Sequence, residues 1–223
     1  MQGEAGEVGM DTDKNRHSKI IRSLCREILI PLGVFQKGNS RVYFDDNGYC
    51  LTMVEFQPSA WDRGSYLNVG VHFLWDAHEF FSFDAYAGTD TRVARFVRYE
   101  NDAQFEIAMR NMAMVAKEHV LHFRNPENVE KTLCGGRSRK HYPLYLAYHG
   151  RIEEARAEYL LFMENPRFQR AAEEWGLPET ADELTQDFVV ERVRLRRKAL
   201  HEKPNMKKLP WNEALDGKRA EGQ

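Results

Sequence analysis

The spacing of hydrophobic positions divides the chain into an early part with mostly strand periodicity and a later part with helix periodicity. The first periodic segment is nevertheless helical. From Ser18, apolar residues recur every three or four positions, as on one face of an amphipathic helix: Ile20, Ile21, Leu24, Cys25, Ile28 and Leu29. Pro31 and Gly33 are typical helix-ending residues, so the pattern predicts that the helix stops there.

Strand patterns follow this helix. The runs Arg41 to Asp45 and Tyr49 to Gln57 flank Asp46-Asn47-Gly48, and Asn-Gly between two such runs predicts a tight hairpin. In the next run every second residue is large and apolar: Leu67, Val69, Val71, Phe73 and Trp75. The residues between them predict a polar opposite face: Asn68, Gly70 and His72. Thr91 to Tyr99 predicts a fourth strand, exposed along part of its length.

After Asn101 the period becomes helical and stays so. Gly and Pro residues divide this part into short helices. Tyr148 to Tyr159 reads like one tetratricopeptide-type helical hairpin, and because a solenoid needs about three repeats, we interpret it as a packing element. Thr180-Ala-Asp-Glu183 matches a capping box and predicts the start of the last helix, which Pro204 stops.

Strands grouped early and helices grouped late predict an α+β fold. We expect an N-terminal helix packed on a small antiparallel sheet of about four strands, followed by an all-helical C-terminal part. The predicted division is a disordered leader at 1–16, an α+β domain at 17–125, a helical extension at 126–203 and a flexible tail at 204–223, part of which Leu209-Pro-Trp211 is able to anchor.

Composition excludes several classes without selecting a function. The chain has 223 residues, 42% hydrophobic and 30% charged, with a net charge of -2, which is typical of a globular protein and gives no general attraction to nucleic acid or membranes. Three widely spaced cysteines, Cys25, Cys50 and Cys134, predict buried free thiols in a reducing compartment. With no secretory signal pattern and no long apolar run, we expect a cytoplasmic protein that does not enter a membrane.

Common catalytic signatures such as GxxxxGK[ST], GxGxxG, GxSxG and HExxH are not in the sequence. The segment Cys134 to Lys140 combines two glycines with three cations, as an anion-binding nest does, but we prefer a turn between helices because no strand precedes it. Cys134 also lies near His141 in sequence, although nothing indicates an activated thiol.

A metal-dependent hydrolase is one alternative function. His72, Asp76, His78 and Glu79, with Asp84 nearby, offer imidazole and carboxylate ligands where the third strand ends. The simpler interpretation is that a strand exit is polar because it is solvated. A second pair, His119 and His122, shares one helix face but needs ligands from elsewhere, so we read it as helix surface.

Nucleic-acid binding is another alternative. Residues 151–191 contain 11 acids and four bases, whereas residues 192–208 contain eight bases and one acid, so the two segments carry about equal and opposite charge. The basic segment offers cations for phosphates: Arg192, Arg194, Arg196, Arg197 and Lys198. Because no aromatic platform is interleaved with them, we prefer pairing with an acidic neighbour or a partner protein.

Four short motifs in the first third of the chain carry a resemblance: Ile30-Pro-Leu-Gly33, Lys37-Gly38-Asn39, Gln57-Pro-Ser59 and Asn68-Val-Gly70. In this order, around a hairpin, they make the segment from Leu29 to about Trp75 resemble the domain-of-unknown-function family 4304. Val34 stands where that family has an aromatic residue, and Phe35 follows it. The resemblance implies a helix plus an antiparallel sheet and supplies no catalytic residues.

The favoured hypothesis is a non-catalytic regulatory module whose sheet face and acidic helices bind another protein, in the manner of a toxin-neutralising protein. We expect no cofactor. The candidate ligand or partner face comprises polar residues of the sheet and an indole in the adjoining loop: Gln57, Trp61, Asn68 and His72. Buried amides must find hydrogen-bond partners, so one interpretation is that these residues tie loops to the sheet. If the face is open and concave, they form a cleft for a ligand or peptide instead.

Overall fold

The computed structural model describes residues 16–76, 78–88, 90–134 and 140–209. The helices and strands follow the order expected from the sequence: α1 (Arg16–Ile28), β1 (Phe35–Gln36), β2 (Val42–Asp46), β3 (Cys50–Gln57), β4 (Gly64–Phe73), β5 (Arg92–Arg98), α2 (Asp102–Phe123), α3 (Pro126–Cys134), α4 (His141–Tyr148), α5 (Ile152–Met163), α6 (Pro166–Glu174) and α7 (Gln186–His201). Short 3₁₀ helices lie at Ile30–Leu32, Ala181–Glu183 and Pro204–Met206. The predicted leader up to residue 15, the centre of the proposed anion nest at 135–139 and the tail from 210 lie outside the described residues.

The sheet is antiparallel with its strands in sequence order, from β1 to β5. The predicted hairpin is confirmed: Gly48 has φ +86°, and its N–H donates to Oδ1 of Asp46 at 2.9 Å. The sheet has one strand more than expected, because the two residues of β1 pair with β2, Phe35 opposite Phe44. The α+β class, with its N-terminal helix and mostly helical C-terminal part, is also confirmed.

Apolar side chains cover parts of both faces of the sheet. On one face, Val54, Leu67 and Val69 share a cluster with the buried sides of α1 and α2. On the other face, Phe44 and Met53 belong to a second cluster, which continues into α3, α4, α5 and α7. Because the helical part shares this core, it packs directly against the sheet.

The C-terminal helices are joined by tight connections. Gly150, with φ +76°, turns the chain between α4 and α5, and this helical hairpin contributes Leu144 and Tyr159 to the core, as a packing element does. Met206 and Leu209, in the described start of the tail, are also buried. In the described ranges, every helix is too short or too polar to cross a membrane.

The predicted capping box is wrong. Thr180 precedes only the 3₁₀ helix and makes no side-chain cap, and the Glu183 carboxylate accepts from the backbone N–H of Glu179. The chain is extended at Leu184, so the last helix begins later, with Thr185 as the N-cap whose hydroxyl accepts from Phe188 N–H at 3.1 Å. An N-cap residue has extended backbone and a side-chain oxygen that accepts from an N–H of the first helical turn, and Thr185 meets both conditions.

The cysteines only partly match the expectation of buried thiols. All three are free, and Cys25 and Cys50 are buried, but Cys134 is exposed at the end of α3. Burial raises the pKa of Cys25 to about 12, so this thiol is inert and acts as a small apolar core residue.

Candidate functional site

A hydrogen-bonded network of polar side chains lies on β3, β4 and β5, near the β3–β4 hairpin. Strand register places Asn68 opposite Glu55 and Tyr66 opposite Gln57, so all four share one sheet face. The Asn68 amide donates to Glu55 Oε2 at 3.0 Å and to Gln57 Oε1 at 2.9 Å. Arg92 of β5 donates to the same Gln57 oxygen at 3.3 Å. We call these five residues the polar sheet face.

Aromatic contacts hold the open side of this network. The Arg92 guanidinium carbon lies 4.0 Å from the centre of the Tyr66 ring, within cation–π range, and the Phe96 ring centre lies 4.9 Å from that of Tyr66. Arg92 is exposed, whereas Glu55, Gln57 and Tyr66 are half-buried. The polar sheet face is therefore ordered by its own contacts and accessible at its rim, with charges of both signs.

Trp61 projects from the loop that joins β3 to β4, and 96% of its surface is exposed. Internal bonds order this loop: Trp61 N–H donates to Ser59 Oγ at 3.1 Å, and Asp62 pairs with Arg98 of β5 at 2.5 Å. A large indole in water on an ordered hairpin is unusual, because burying such a side chain releases about 2 kcal/mol or more.

His72, the fourth predicted residue of this face, is fully buried. The chain after β4 folds back over the strand, where Val71 pairs with Ala85 in an isolated bridge. His72 Nδ1 then lies 3.2 Å from Asp84 Oδ2, and the Phe81 ring packs against the imidazole. The expectation of one surface is thus corrected: Gln57 and Asn68 lie together beside the loop of Trp61, and His72 lies beneath a covering segment.

The predicted metal ligands do not form one cluster. Asp76 is buried, with Oδ1 at 2.5 Å from His78 Nδ1 and Oδ2 accepting from Lys140 Nζ at 2.7 Å. Burial alone would raise the pKa of Asp76, but the contacts with Lys140 and His78 bring it well below its usual value. His72 contacts Asp84 instead, and Glu79 is exposed, so the four predicted ligands are not held together as one set.

A different trio, Asp76, Asp84 and His141, brings ligand-type atoms within 4.8 Å of one another. His141 Nδ1 accepts a hydrogen bond from Trp75 Nε1 at 3.1 Å. Because an indole N–H only donates, the proton of the neutral imidazole sits on Nε2, the atom that faces Asp84 Oδ1 at 3.9 Å. Metal binding through Nε2 would require this proton to move to Nδ1, where it would face the Trp75 N–H and break that hydrogen bond, and Lys140 already supplies a cation to Asp76.

Both oxygens of the Asp84 carboxylate have hydrogen-bond partners in the protein. The carboxylate accepts from the Phe73 N–H at 2.9 Å and from Ser82 Oγ at 2.6 Å. Burial alone would raise the pKa of Asp84. The hydrogen bond from His72, the electrostatic effect of His141 and the hydrogen bond from Ser82 outweigh burial, so the pKa lies below its ordinary value. The contacts of this trio are those of a structural network that links the segment after β4 to the start of α4.

Most of the predicted basic strip on α7 is occupied by internal contacts. Arg192 donates to the carbonyls of Trp75 at 2.8 Å, Trp175 at 2.9 Å and Gly176. Arg194 binds Glu191 of its own helix at 2.6 Å. Glu191 is the last residue of the acidic segment, so this ion pair joins the two charged segments within one helix, whereas Arg192 binds backbone carbonyls.

The second half of the strip reaches the sheet. Arg197 holds both oxygens of Asp46, at 2.7 and 2.8 Å, and donates to Gly48 O at 2.9 Å. Arg196 is half-buried, and its Nε and Nη2 make no hydrogen bond with the described residues. Lys198 is exposed. Arg192 and Arg197 therefore connect α7 to other parts of the fold.

The other two predicted pairs, Cys134 with His141 and His119 with His122, lie apart from the polar sheet face. Exposed Cys134 is a hydrogen-bond neighbour of Tyr142, whereas the His141 ring is engaged by Trp75. His119 and His122 lie on α2, where burial lowers the pKa of His119 and His122 is exposed. Neither pair joins the polar sheet face.

Comparison with known proteins adds no assignment: no family model, curated protein or solved structure matches the chain. The resemblance to family 4304 stays a prediction.

Sequence reasoning missed three members of the polar sheet face: Glu55, Tyr66 and Arg92. Hairpin register was the available signal for Glu55 and Tyr66, because both occupy strand positions on the same side as Asn68. Arg92 was harder to place, since β4 and β5 are separated by a long connection and their pairing contains register shifts.

Proposed function

We propose that the chain is a non-catalytic protein-binding module whose contact surface is Trp61 together with the polar sheet face. The observation that carries the proposal is the fully exposed indole on an ordered hairpin. Trp is among the residues most enriched at the energetic centres of protein interfaces, where it is buried in a pocket of the partner.

The polar sheet face supplies the kind of surface that surrounds such an anchor. Its Asn68 and Gln57 groups are already fixed by hydrogen bonds, so binding costs little side-chain entropy. Glu55 and Arg92 provide one charge of each sign. The partner that fits is a protein with an apolar pocket for the indole and a rim of mixed charge, which pairs with both.

The buried network supports a binding role over hydrolysis. Its carboxylates, Asp76 and Asp84, are held by Lys140, His78, Ser82 and backbone N–H groups. A metal or a substrate would have to displace these bonds. A cytoplasmic location is part of the proposal, and the free cysteines support it, because a reducing compartment keeps thiols from forming disulfides.

The test compares partner capture by the full chain and two surface variants. The wild-type chain is expected to retain one protein in stoichiometric amount from native lysate, and Trp61→Ala to lower its affinity by a factor of about 30 or more, as loss of a hot-spot Trp does. Leu195→Ala is the matched control, because this exposed leucine lies on α7. Recovery of no stoichiometric partner, or equal binding by both variants, would overturn the proposal.

A further inference from the structure

Strand β5 carries three exposed arginines: Arg92, Arg95 and Arg98. The strand is an edge of the sheet, and within the described ranges its strand partner is β4. In a regular strand, side chains alternate between the two faces, so Arg95 would lie on the face opposite to Arg92 and Arg98. The pairing of β5 with β4 contains register shifts, and these change the side on which Arg95 lies.

A bulge in β5 brings Arg95 to the same side as the other two arginines. Between its pairs at Leu67 and Ser65, β4 has one residue, Tyr66. The matching stretch of β5 has two residues, Arg95 and Phe96, so β5 bulges there. The residues that flank these two both pack against the cluster shared with α1 and α2. Phe96 contacts Tyr66 on the opposite side of the sheet, and exposed Arg95 lies outside that cluster, on the side of the polar sheet face.

The three arginines are evenly spaced along β4. Arg92 pairs with Asn68. Arg98 pairs with Gly64, which lies four positions earlier in β4, and Arg95 stands midway between these two levels. Because two residues of a strand rise about 7 Å, the arginines span about 14 Å along one line. We call Arg92, Arg95 and Arg98 the arginine row.

We propose that the arginine row binds an extended acidic segment of the protein partner, with carboxylates at alternate positions. This inference rests on the proposed function, because it names what the partner presents beside its pocket for Trp61. In an extended chain every second side chain lies on the same side, about 7 Å from the one before. Three alternate carboxylates therefore meet the three arginines in step, and each arginine is able to hold a carboxylate by two parallel hydrogen bonds.

The arginine row keeps positive charge available for such a segment. Within the described part of the chain, Arg95 makes no hydrogen bond, ion pair or ring contact. Arg92 donates to the neutral amide of Gln57, which orients the guanidinium without cancelling its charge. Arg98 pairs with Asp62 at 2.5 Å, but its side chain is 63% exposed. One acid for three arginines leaves the row positive.

Other occupants fit the arginine row less well. A single-stranded nucleic acid needs open aromatic faces for its bases, but Arg92 and Phe96 lie against the Tyr66 ring within the row. A second β5, antiparallel and centred on Arg95, would bring Arg95 to Arg95 and Arg92 to Arg98, and like charges opposite each other repel. A bulged and charged edge also opposes strand addition, so we expect ion pairs rather than backbone pairing to carry the binding.

Fluorescence anisotropy measures binding of the full chain to a capped, dye-labelled threonine peptide with glutamate at three alternate positions. We expect saturable binding that weakens as salt rises. Arg95→Gln is expected to lower the affinity by a factor of about five, as loss of one exposed ion pair does. Arg167→Gln is the matched control, because it removes the same charge from an exposed arginine of α6, and we expect no change.

A second peptide tests the spacing. It carries the same three glutamates in a row, so that only two of them lie on one side of the extended chain, and it is expected to bind more weakly. Absence of peptide binding, equal binding of the two peptides, or equal affinity of Arg95→Gln and Arg167→Gln would overturn the proposal. Tighter binding of a labelled single-stranded oligothymidine than of the alternating peptide would also overturn it, in favour of nucleic acid.

Trp61→Ala separates this inference from the proposed function. The peptide has no pocket for the indole, so we expect this variant to bind it as the wild type does. A partner captured from lysate whose affinity falls with Trp61→Ala but not with Arg95→Gln would overturn the arginine row and support the proposed function. Peptide binding that depends on Arg95, with no partner captured from lysate, would support the arginine row and contradict the proposed function.

Discussion

Trp75 donates its indole N–H to Nδ1 of His141 at 3.1 Å, and both residues are buried. Trp75 lies just after β4 and His141 is the first residue of α4, so the bond joins the end of the sheet to the start of the helical hairpin. The Phe73 ring packs on both residues, with ring centres 4.6 Å from Trp75 and 4.8 Å from His141. This contact therefore sets the tautomer of a core histidine and links two parts of the fold.

The first prediction concerns acid stability. Burial lowers the pKa of His141 from its ordinary 6.5 to about 4, the charge of nearby Asp84 offsetting only part of the effect. Between these two pH values the unfolded chain binds a proton that the folded chain does not, so stability falls as pH falls. We expect this group to account for a loss on the order of 3 kcal/mol in the free energy of unfolding from pH 6.5 to 4.

Urea denaturation at several pH values measures this loss, and His141→Asn is the control. The asparagine oxygen is able to accept from Trp75 but does not titrate, so the variant is expected to show a shallower decline over the same interval. The lowered pKa values of Asp76 and Asp84 also make the folded chain less stable as pH falls, but both carboxylates are present in the wild type and in the variant. An imidazole of His141 that titrates near 6.5 by NMR would contradict the prediction.

The second prediction concerns the indole N–H itself. Trp75→Phe keeps an aromatic ring among its stacked neighbours Phe73 and Tyr49 but removes the donor to His141. A buried acceptor without a partner, together with the lost ring volume, is expected to cost about 2–4 kcal/mol in thermal or urea unfolding.

Trp61→Phe is the matched control, because this exposed indole touches little of the fold, and we expect a change within about 0.5 kcal/mol. Equal stability of the two variants would show that the bond to His141 contributes nothing net.

The third prediction concerns the clamp between α7 and the β2–β3 hairpin. Arg197 and Asp46 are 12% and 17% exposed at their side chains, and their two-bond contact is supported by Gly48 O. Arg197→Ala leaves the Asp46 carboxylate partly desolvated without its cation, so we expect a loss of about 1.5–3 kcal/mol in urea denaturation. The exposed neighbour Lys198→Ala is expected to change stability by less than about 0.5 kcal/mol.

Local signals in the sequence were sufficient for most of the sheet and for the first helix of the fold. Asn47-Gly48 specified the hairpin because its turn needs positive φ, and strict alternation from Leu67 placed Asn68 on the polar side. For the start of the last helix the sequence pattern is ambiguous, because Thr180 and Thr185 both precede acidic residues and the extended backbone at Leu184 decides between them.

The buried network was not predictable from local patterns. His72 was expected on an open face, but the segment that contains Phe81 and Asp84 covers it, and that return carries no periodic signal. His141 joins the network from 66 positions along the chain, through a bond that depends on tertiary packing. Spacing in sequence identified candidate ligands near β4 but not which of them meet.

The last prediction tests how closely that covering segment is packed on β4. A Cβ at Gly70 would lie 2.8 Å from both Ala85 O and a ring carbon of Phe83, which is too close for carbon. Ala85 O also accepts the Val71 N–H at 2.7 Å, so the added methyl of Gly70→Ala forces the segment away from the strand and weakens that bond. We expect a loss of about 1–3 kcal/mol in urea denaturation and faster hydrogen exchange at the Val71 amide. A variant with wild-type stability and unchanged exchange at Val71 would mean that the segment does not press on β4, and the covered position of His72 would then need another explanation.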